Sequence, residues 1–251
     1  MRQSIRSGYS VAILTFLVIC GAASTAAAQR GGRGGRGGPP QPAEVAAPID
    51  MTGYWVSVVT EDWKFRMVTP NPGVFDALTL NAEGRRIGNA WNPEADEAAG
   101  AACKGYGAPA IMRLAGRFHI TWEDENTLRI DTDYGTQTRL FHFDDAARGE
   151  PSLQGHSMAE WQGAPGGGGS LKVVTDNFSE GYIRKNGAPF SDETVLTEYY
   201  DLHTMPNGDQ WLNVTTAVDD QVYFSRPLHN TTDLKRLPDD QGWNPTPCSS
   251  H

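Results

Sequence analysis

The sequence predicts an all-β fold, a single antiparallel barrel of lipocalin-like type or a sandwich, and three observations carry that expectation. Residues 117–143 read as a meander of three strands, short alternating runs recur through the rest of the chain, and turn signals separate them at short intervals. In the first strand Phe118, Ile120 and Trp122 fall on one face and His119, Thr121 and Glu123 on the other, the period of two that a half-buried strand requires. Asp124, Glu125 and Asn126 turn the chain, Leu128 and Ile130 resume the apolar face, and Tyr134-Gly135 leads into a third strand over 137–143. Such a meander cannot bury its own apolar face, so further strands or a helix must cover it.

The remaining elements follow in chain order. Residues 53–59 make a first strand, opening on Gly53-Tyr54-Trp55, and residues 63–68 a second that pairs with it or continues it. Between 82 and 103 the composition turns Ala- and Glu-rich, and Asn92-Pro93 is an N-cap followed by proline at the first helical position. One or two short helices are expected there, over 82–91 and 93–103, closing an end of the sheet. Strands over 156–161 and 171–175 flank the glycine-dense stretch 163–169. A hairpin joins 195–201 to 211–218 across Asn207-Gly208, and a last strand covers 221–225. The count is nine to eleven antiparallel strands.

The start of the chain reads as an address. Arg2 and Arg6 precede an apolar run over 11–21, and Ala26-Ala27-Ala28 is a small-residue cleavage site. Residues 1–28 are therefore expected to be a signal peptide cut after Ala28, with lipidation at Cys20 as the alternative. No second run long enough to span a bilayer follows, which predicts no transmembrane segment after cleavage. Residues 29–48, rich in Gly, Arg and Pro, read as a flexible linker, and residues 49–251 as one β-barrel domain. Periplasmic or extracellular localisation follows, where a Cys103–Cys248 disulfide can form and pin the C-terminal tail to the body.

Charge narrows the partners. The chain carries 21 Lys and Arg against 30 Asp and Glu, a formal net charge of −9. Residues 1–44 hold five of the basic and one of the acidic residues, so the remainder has 16 against 29, net −13. A domain that acidic does not seek nucleic acid. No phosphate-binding glycine motif is present, and no His-x-His or His-Glu-x-x-His spacing points to a metal, so neither metal nor cofactor is expected.

Later motifs resemble a large group of secreted bacterial β-rich proteins. Cys103 with Gly107-Ala108-Pro109 and Met112 resembles a Cys-x-Pro-x-Gly-x-Pro-x-x-Met type segment. Gly155-His156-Ser157 through Glu160-Trp161-Gln162-Gly163 to Ser170-Leu171-Lys172-Val173-Val174-Thr175 resembles a Gly-x-Ser-x-Gly-x-Trp-x-Gly-Asp-Thr-Leu type segment. Pro189-Phe190-Ser191-Asp192, Thr197-Glu198-Tyr199 and Asp219-Asp220 through Arg226-Pro227 keep the group's order. The chain departs from the group at Gly168-Gly169-Ser170-Leu171, where no carboxylate sits at the turn. The resemblance implies secretion and a β-rich fold, and supplies no catalytic residues.

Function is then read from residue chemistry. A barrel with mixed apolar and polar inward positions holds one small ligand, here a sugar, an aromatic or a terpenoid, with Trp55, Glu61, Arg66, Trp161, Tyr199 and Trp211 as its contacts. The alternative is a cofactor-free isomerase, lyase or hydrolase using Glu198, His119, His142, Arg139 and Tyr134. A structural envelope protein with a filled barrel is the third reading. Asp131 and Asp133 share a strand face with Arg129, and Arg139 on the next strand is placed to pair with them as a charged outer face or a polar cavity wall.

Overall fold

The computed structural model describes residues 41–164 and 167–250. The expected signal peptide, its cleavage site, Cys20 and the linker up to residue 40 lie outside the described residues. The body is a closed nine-stranded barrel with a separate two-stranded sheet. Its strands are β1 (Gly53–Val58), β2 (Arg117–Asp124), β3 (Thr127–Thr132), β4 (Thr138–His142), β5 (His156–Gly163) and β6 (Gly169–Asp176). After the small hairpin β7 (Gly181–Arg184) and β8 (Ala188–Phe190), the barrel resumes with β9 (Val195–Thr204), β10 (Gln210–Asp219) and β11 (Leu228–Leu237).

Around the ring the order is β1-β11-β10-β9-β6-β5-β4-β3-β2. Strands that alternate in direction can close a ring only in even number, so nine strands force at least one parallel neighbour pair. That pair is β4 with β5, held by two pairings, Phe141 with Ser157 and His142 with Met158. All other barrel pairs are antiparallel.

Register sorts the side chains into two faces. Trp55, Phe118, Ile120, Leu128, Phe141, Tyr200 and Leu234 point inward and are at most 1% exposed. The outer face is charged: Lys172 meets Glu160 at 2.9 Å, and Arg129 meets Asp131 at 2.8 Å. Among the described residues no helix is long and apolar enough to cross a membrane.

The two ends of the barrel are closed differently. At one end the segment before β1 forms α1 (Ala43–Ala46) and crosses the β2–β3 turn. The Ala43 N–H donates to Asn126 Oδ1 at 2.9 Å, Glu44 N–H to the Glu125 carbonyl at 3.1 Å, and Trp161 Nε1 to the Ala43 carbonyl at 2.9 Å. Residues 43–46, within the stretch read as linker, thus form a helical turn held against the β2–β3 turn.

At the other end sit α2 (Trp63–Arg66), α3 (Ala82–Asn89), α4 (Pro93–Ala98), a 3-10 turn (Ala102–Tyr106), α5 (Ala108–Ile111) and the β7–β8 hairpin. Asn81 and Asn92 cap α3 and α4, each accepting from a backbone N–H at 2.9 Å, with Pro93 opening α4. Gly84 lets α3 press onto the chain, since a Cβ there would stand 2.5 Å from the Tyr223 carbonyl. A second core of Phe75, Leu80, Phe178, Phe190, Leu196 and Phe224 lies beneath these elements. Cys103 and Cys248 are bonded, with Cα atoms 5.0 Å apart, which fastens the tail to the same end.

Four expectations are corrected. Residues 63–68 are not a strand, because Asp62, in the left-handed region at φ +48°, turns the chain directly into α2. The helix expected over 93–103 stops at Ala98 and restarts as the 3-10 turn. The last strand is β11, beyond Arg226-Pro227, while residues 221–225 form a turn knotted by Asp220. Arg139 faces inward and does not pair with Asp131 or Asp133, because its strand neighbour in register is Ile130 of the apolar face.

Candidate functional site

The barrel interior is chemically divided along its axis. Toward α1 the inward positions are Trp55, Ile120, Leu128, Phe141, Leu171 and Leu212, all apolar. Toward the helix-capped end they become Ser57, Thr132, Ser157, Thr175, Thr216 and Asn230, which register places on the same inner face. Between the two halves stands the Arg139–Glu198 pair. Its guanidinium donates from Nη1 to Oε1 at 2.9 Å and from Nη2 to Oε2 at 2.6 Å, and both side chains are 0% exposed. Tyr200 adds its hydroxyl to Glu198 Oε1 at 3.1 Å. Burial pulls the Arg139 pKa down, but the Glu198 carboxylate more than offsets it and holds the guanidinium above its ordinary value. Burial, then the Glu198 charge, pushes the Tyr200 hydroxyl well up. Arg139, Phe141, Val173, Tyr200 and Val214 fill the axis at this level.

Space opens at both ends: about 320 Å³ at the α1 end, beside Met51, Trp122, Leu128 and Trp161, and a smaller pocket at the polar mouth. A pocket of about 50 Å³ lies between α2, α5, β7 and the start of β11, lined by Asp62, Phe65, Arg66, Arg113, Arg184 and Asn230 among others. Each arginine is delivered by a different element. Arg66, at the end of α2, reaches over the rim: its Nη2 donates to Ser57 Oγ of the inner wall at 2.9 Å and its Nε to the Arg113 carbonyl at 2.9 Å. Its Nη1 is paired with Glu61. Arg113 follows α5 and donates from Nη2 to Asp62 at 2.8 Å, while its buried Nη1 has no hydrogen-bond partner. Arg184 ends β7, donates to the Asp76 carbonyl at 3.1 Å and lies 4.9 Å over the Phe65 ring.

Crowding of like charge shows in the acidities. Burial, and then the neighbouring Arg113, lower the Arg184 pKa to about 10 despite Asp62 and Asp76. Burial lowers that of Arg66 too, with Glu61 opposing and Arg113 reinforcing. Beside them Lys185 donates to Tyr106 Oη at 3.0 Å and Tyr134 Oη at 3.2 Å. The Arg66 and Arg184 guanidiniums remain charged at neutral pH, and each is destabilised by burial and then by Arg113. An anion placed among them relieves that destabilisation, and the orphaned Nη1 of Arg113 is a donor ready to receive it.

The structure brings some sequence-predicted site residues together and scatters others. Glu61 and Arg66 meet at the mouth, and Arg139 and Glu198 meet on the axis. His119 is on the outer face, stacked on Tyr54 at 4.0 Å between ring centroids. His142 is also outside, 5.4 Å from the His156 ring. Tyr134 lies under the tail with Lys185 and Tyr106. The five candidate catalytic residues thus form no single constellation. Among the proposed ligand contacts, Trp55 is core and donates to the Met51 carbonyl at 2.9 Å. Trp161 stacks on Phe143 at 5.1 Å at the α1 end. Tyr199 and Trp211 face outward, opposite Lys172 and Lys235 respectively. Among the described residues no group of three or more His, Cys, Asp or Glu could hold a metal ion.

Sequence reasoning missed Arg113, Arg184 and Asn230. Arg184 and Asn230 sit in strands it did not anticipate, and Arg113 had no neighbour in sequence to mark it. The one available signal was Asn186-Gly187, a hairpin turn that would have exposed β7 and β8. A comparison with protein-family models finds none that matches the chain, and a comparison with curated proteins likewise finds no match.

Proposed function

We propose that the protein is a secreted or periplasmic binder of a small organic anion, with its site at the helix-capped mouth of the barrel. The observation that carries this is the buried, unpartnered Nη1 of Arg113 inside a cluster of three guanidiniums, in a chain of net charge −9. Arg66 and Arg113 are paired with Glu61 and Asp62, so the cluster holds one guanidinium in excess of its paired carboxylates, and a carboxylate or phosphate on the ligand offsets it. The pocket takes the anionic group of such a ligand, beside the Phe65 ring that Arg184 covers at 4.9 Å. The Cys103–Cys248 bond supports an oxidising compartment, and membership of the secreted β-rich group belongs to the same proposal.

The filled axis favours a second reading, a structural envelope protein, and one experiment separates the two. Thermal unfolding is followed with galacturonate, benzoate, phosphate and sulfate at constant ionic strength, for wild type and Arg113→Met. A ligand at a hundred times its Kd stabilises by about 2.7 kcal/mol. The binding reading expects such a rise with at least one anion and its loss in Arg113→Met. Equal curves with and without every anion would leave the structural reading.

A further inference from the structure

The basic pocket has room for an anion of a few heavy atoms, about 50 Å³, and not for a whole organic ligand. The rest of the ligand must lie outside it, and α2 shows where. The Met67 N–H donates to the Trp63 carbonyl at 2.9 Å, so Trp63 and Met67 share one side of this turn while Phe65 and Arg66 line the basic pocket on the other. Trp63, Met67 and Val68 are 67%, 59% and 70% exposed, three of the seven large exposed apolar side chains among the described residues. Exposed apolar residues gathered so closely mark a contact surface.

A second groove, of about 480 Å³, runs from Met67 along the outer face of β1, walled by Val56, Val58, Val59 and Ala115. This volume lies in the range of roughly 300–1,000 Å³ that accommodates a small organic molecule. Arg117 closes its far end, its guanidinium turned toward Asp133 at 3.9 Å. The short helix α2 therefore lies between a head-group-sized cationic pocket and an open groove on the barrel wall whose side chains are mostly aliphatic.

We infer that the ligand is a free amphiphile, an anionic head on a flexible aliphatic chain such as a fatty acid or alkyl phosphate. This rests on the anion site proposed above. The head enters the cluster of Arg66, Arg113 and Arg184. The chain passes over Trp63 and Met67 into the channel beside Val56 and Val58. No bond is made or broken. Specificity divides accordingly, with charge read by the arginines and chain length by the channel.

The test is a calorimetric titration of the protein with the linear carboxylates from acetate to decanoate, all below micelle formation, with inorganic phosphate alongside. Full burial of a methylene sets a ceiling of about fourfold tighter binding per added carbon. The expected result is progressive tightening over the series, flattened in a Trp63→Gln/Met67→Gln double variant that binds acetate or phosphate as wild type does. Both positions are exposed, so the variant should stay folded, which circular dichroism checks. Affinity independent of chain length overturns the amphiphile and leaves the anion site standing. Binding of phosphatidylglycerol vesicles without binding of any monomer overturns the free amphiphile in favour of a membrane surface. No binding of any anion removes both.

Discussion

Replacing Glu198 by Gln keeps the shape of the side chain and removes its charge. Arg139 is then left as a guanidinium with 0% exposure and no carboxylate, its Nε already without a partner. Breaking a buried pair in this way costs about 3–5 kcal/mol. For a domain of this size one kcal/mol moves Tm by about 2–4 °C, so the melting point should fall by roughly 6–20 °C. Calorimetry with the disulfide intact, checked by urea unfolding, measures it. The companion variant Arg139→Met/Glu198→Leu removes both charges, and replacement of a whole buried pair by apolar groups is often neutral or stabilising by about 1–4 kcal/mol. It should therefore recover most or all of the loss. A single variant within about 1 kcal/mol of wild type, or a double as unstable as the single, would refute the claim that the penalty is an uncompensated charge.

Three further outcomes are expected. Because the Arg184 pKa is lowered to about 10, anion affinity should be flat from neutral pH upward and fall as pH rises through that value, where the cation is lost; titration at fixed ionic strength reads this directly. Asp220 accepts from the Ser191, Val222 and Tyr223 N–H groups and from the Thr194 hydroxyl. Asp220→Ala should destabilise by about 2–6 kcal/mol in urea, at about 1–3 for each buried N–H it orphans at Ser191 and Tyr223. The disulfide spans 145 residues, for which chain entropy sets a limit of about 5 kcal/mol. A Cys103→Ser/Cys248→Ser variant should lose about 2–5 kcal/mol, and no loss would mean the tail is held by its other contacts alone.

The meander was legible because its inward residues are apolar: Phe118, Ile120, Leu128 and Ile130 alternate visibly, and β2 and β3 follow them. β11 was hidden for the opposite reason. Its inward side chains include Asn230 and Thr232, so polar residues occupy both faces and the period of two leaves no hydrophobic trace. The same polarity that makes the mouth chemically interesting erases its signature. Residues 63–68 do alternate, Trp-Lys-Phe-Arg-Met-Val, yet so short a run satisfies strand and helix alike, and the rim contact of Arg66 with Ser57 belongs to the helical arrangement. Cys103–Cys248 was readable from compartment and count. The convergence of Arg66, Arg113 and Arg184 was not, since it depends on closing the ring.

The parallel contact of β4 with β5 gives the ring a seam. Two pairings hold it, against eight between β5 and β6 and ten between β9 and β10. A cylinder under thermal stress parts along its thinnest weld, so the protein should breathe by unzipping there, swinging the β2–β4 meander outward as a flap. Phe141 is buried at that joint with its ring tilted against Tyr200, 5.7 Å between centroids, beside the Arg139–Glu198 pair. Water reaching the axis would enter by this route, and amide exchange along β4 should outpace that of every other barrel strand.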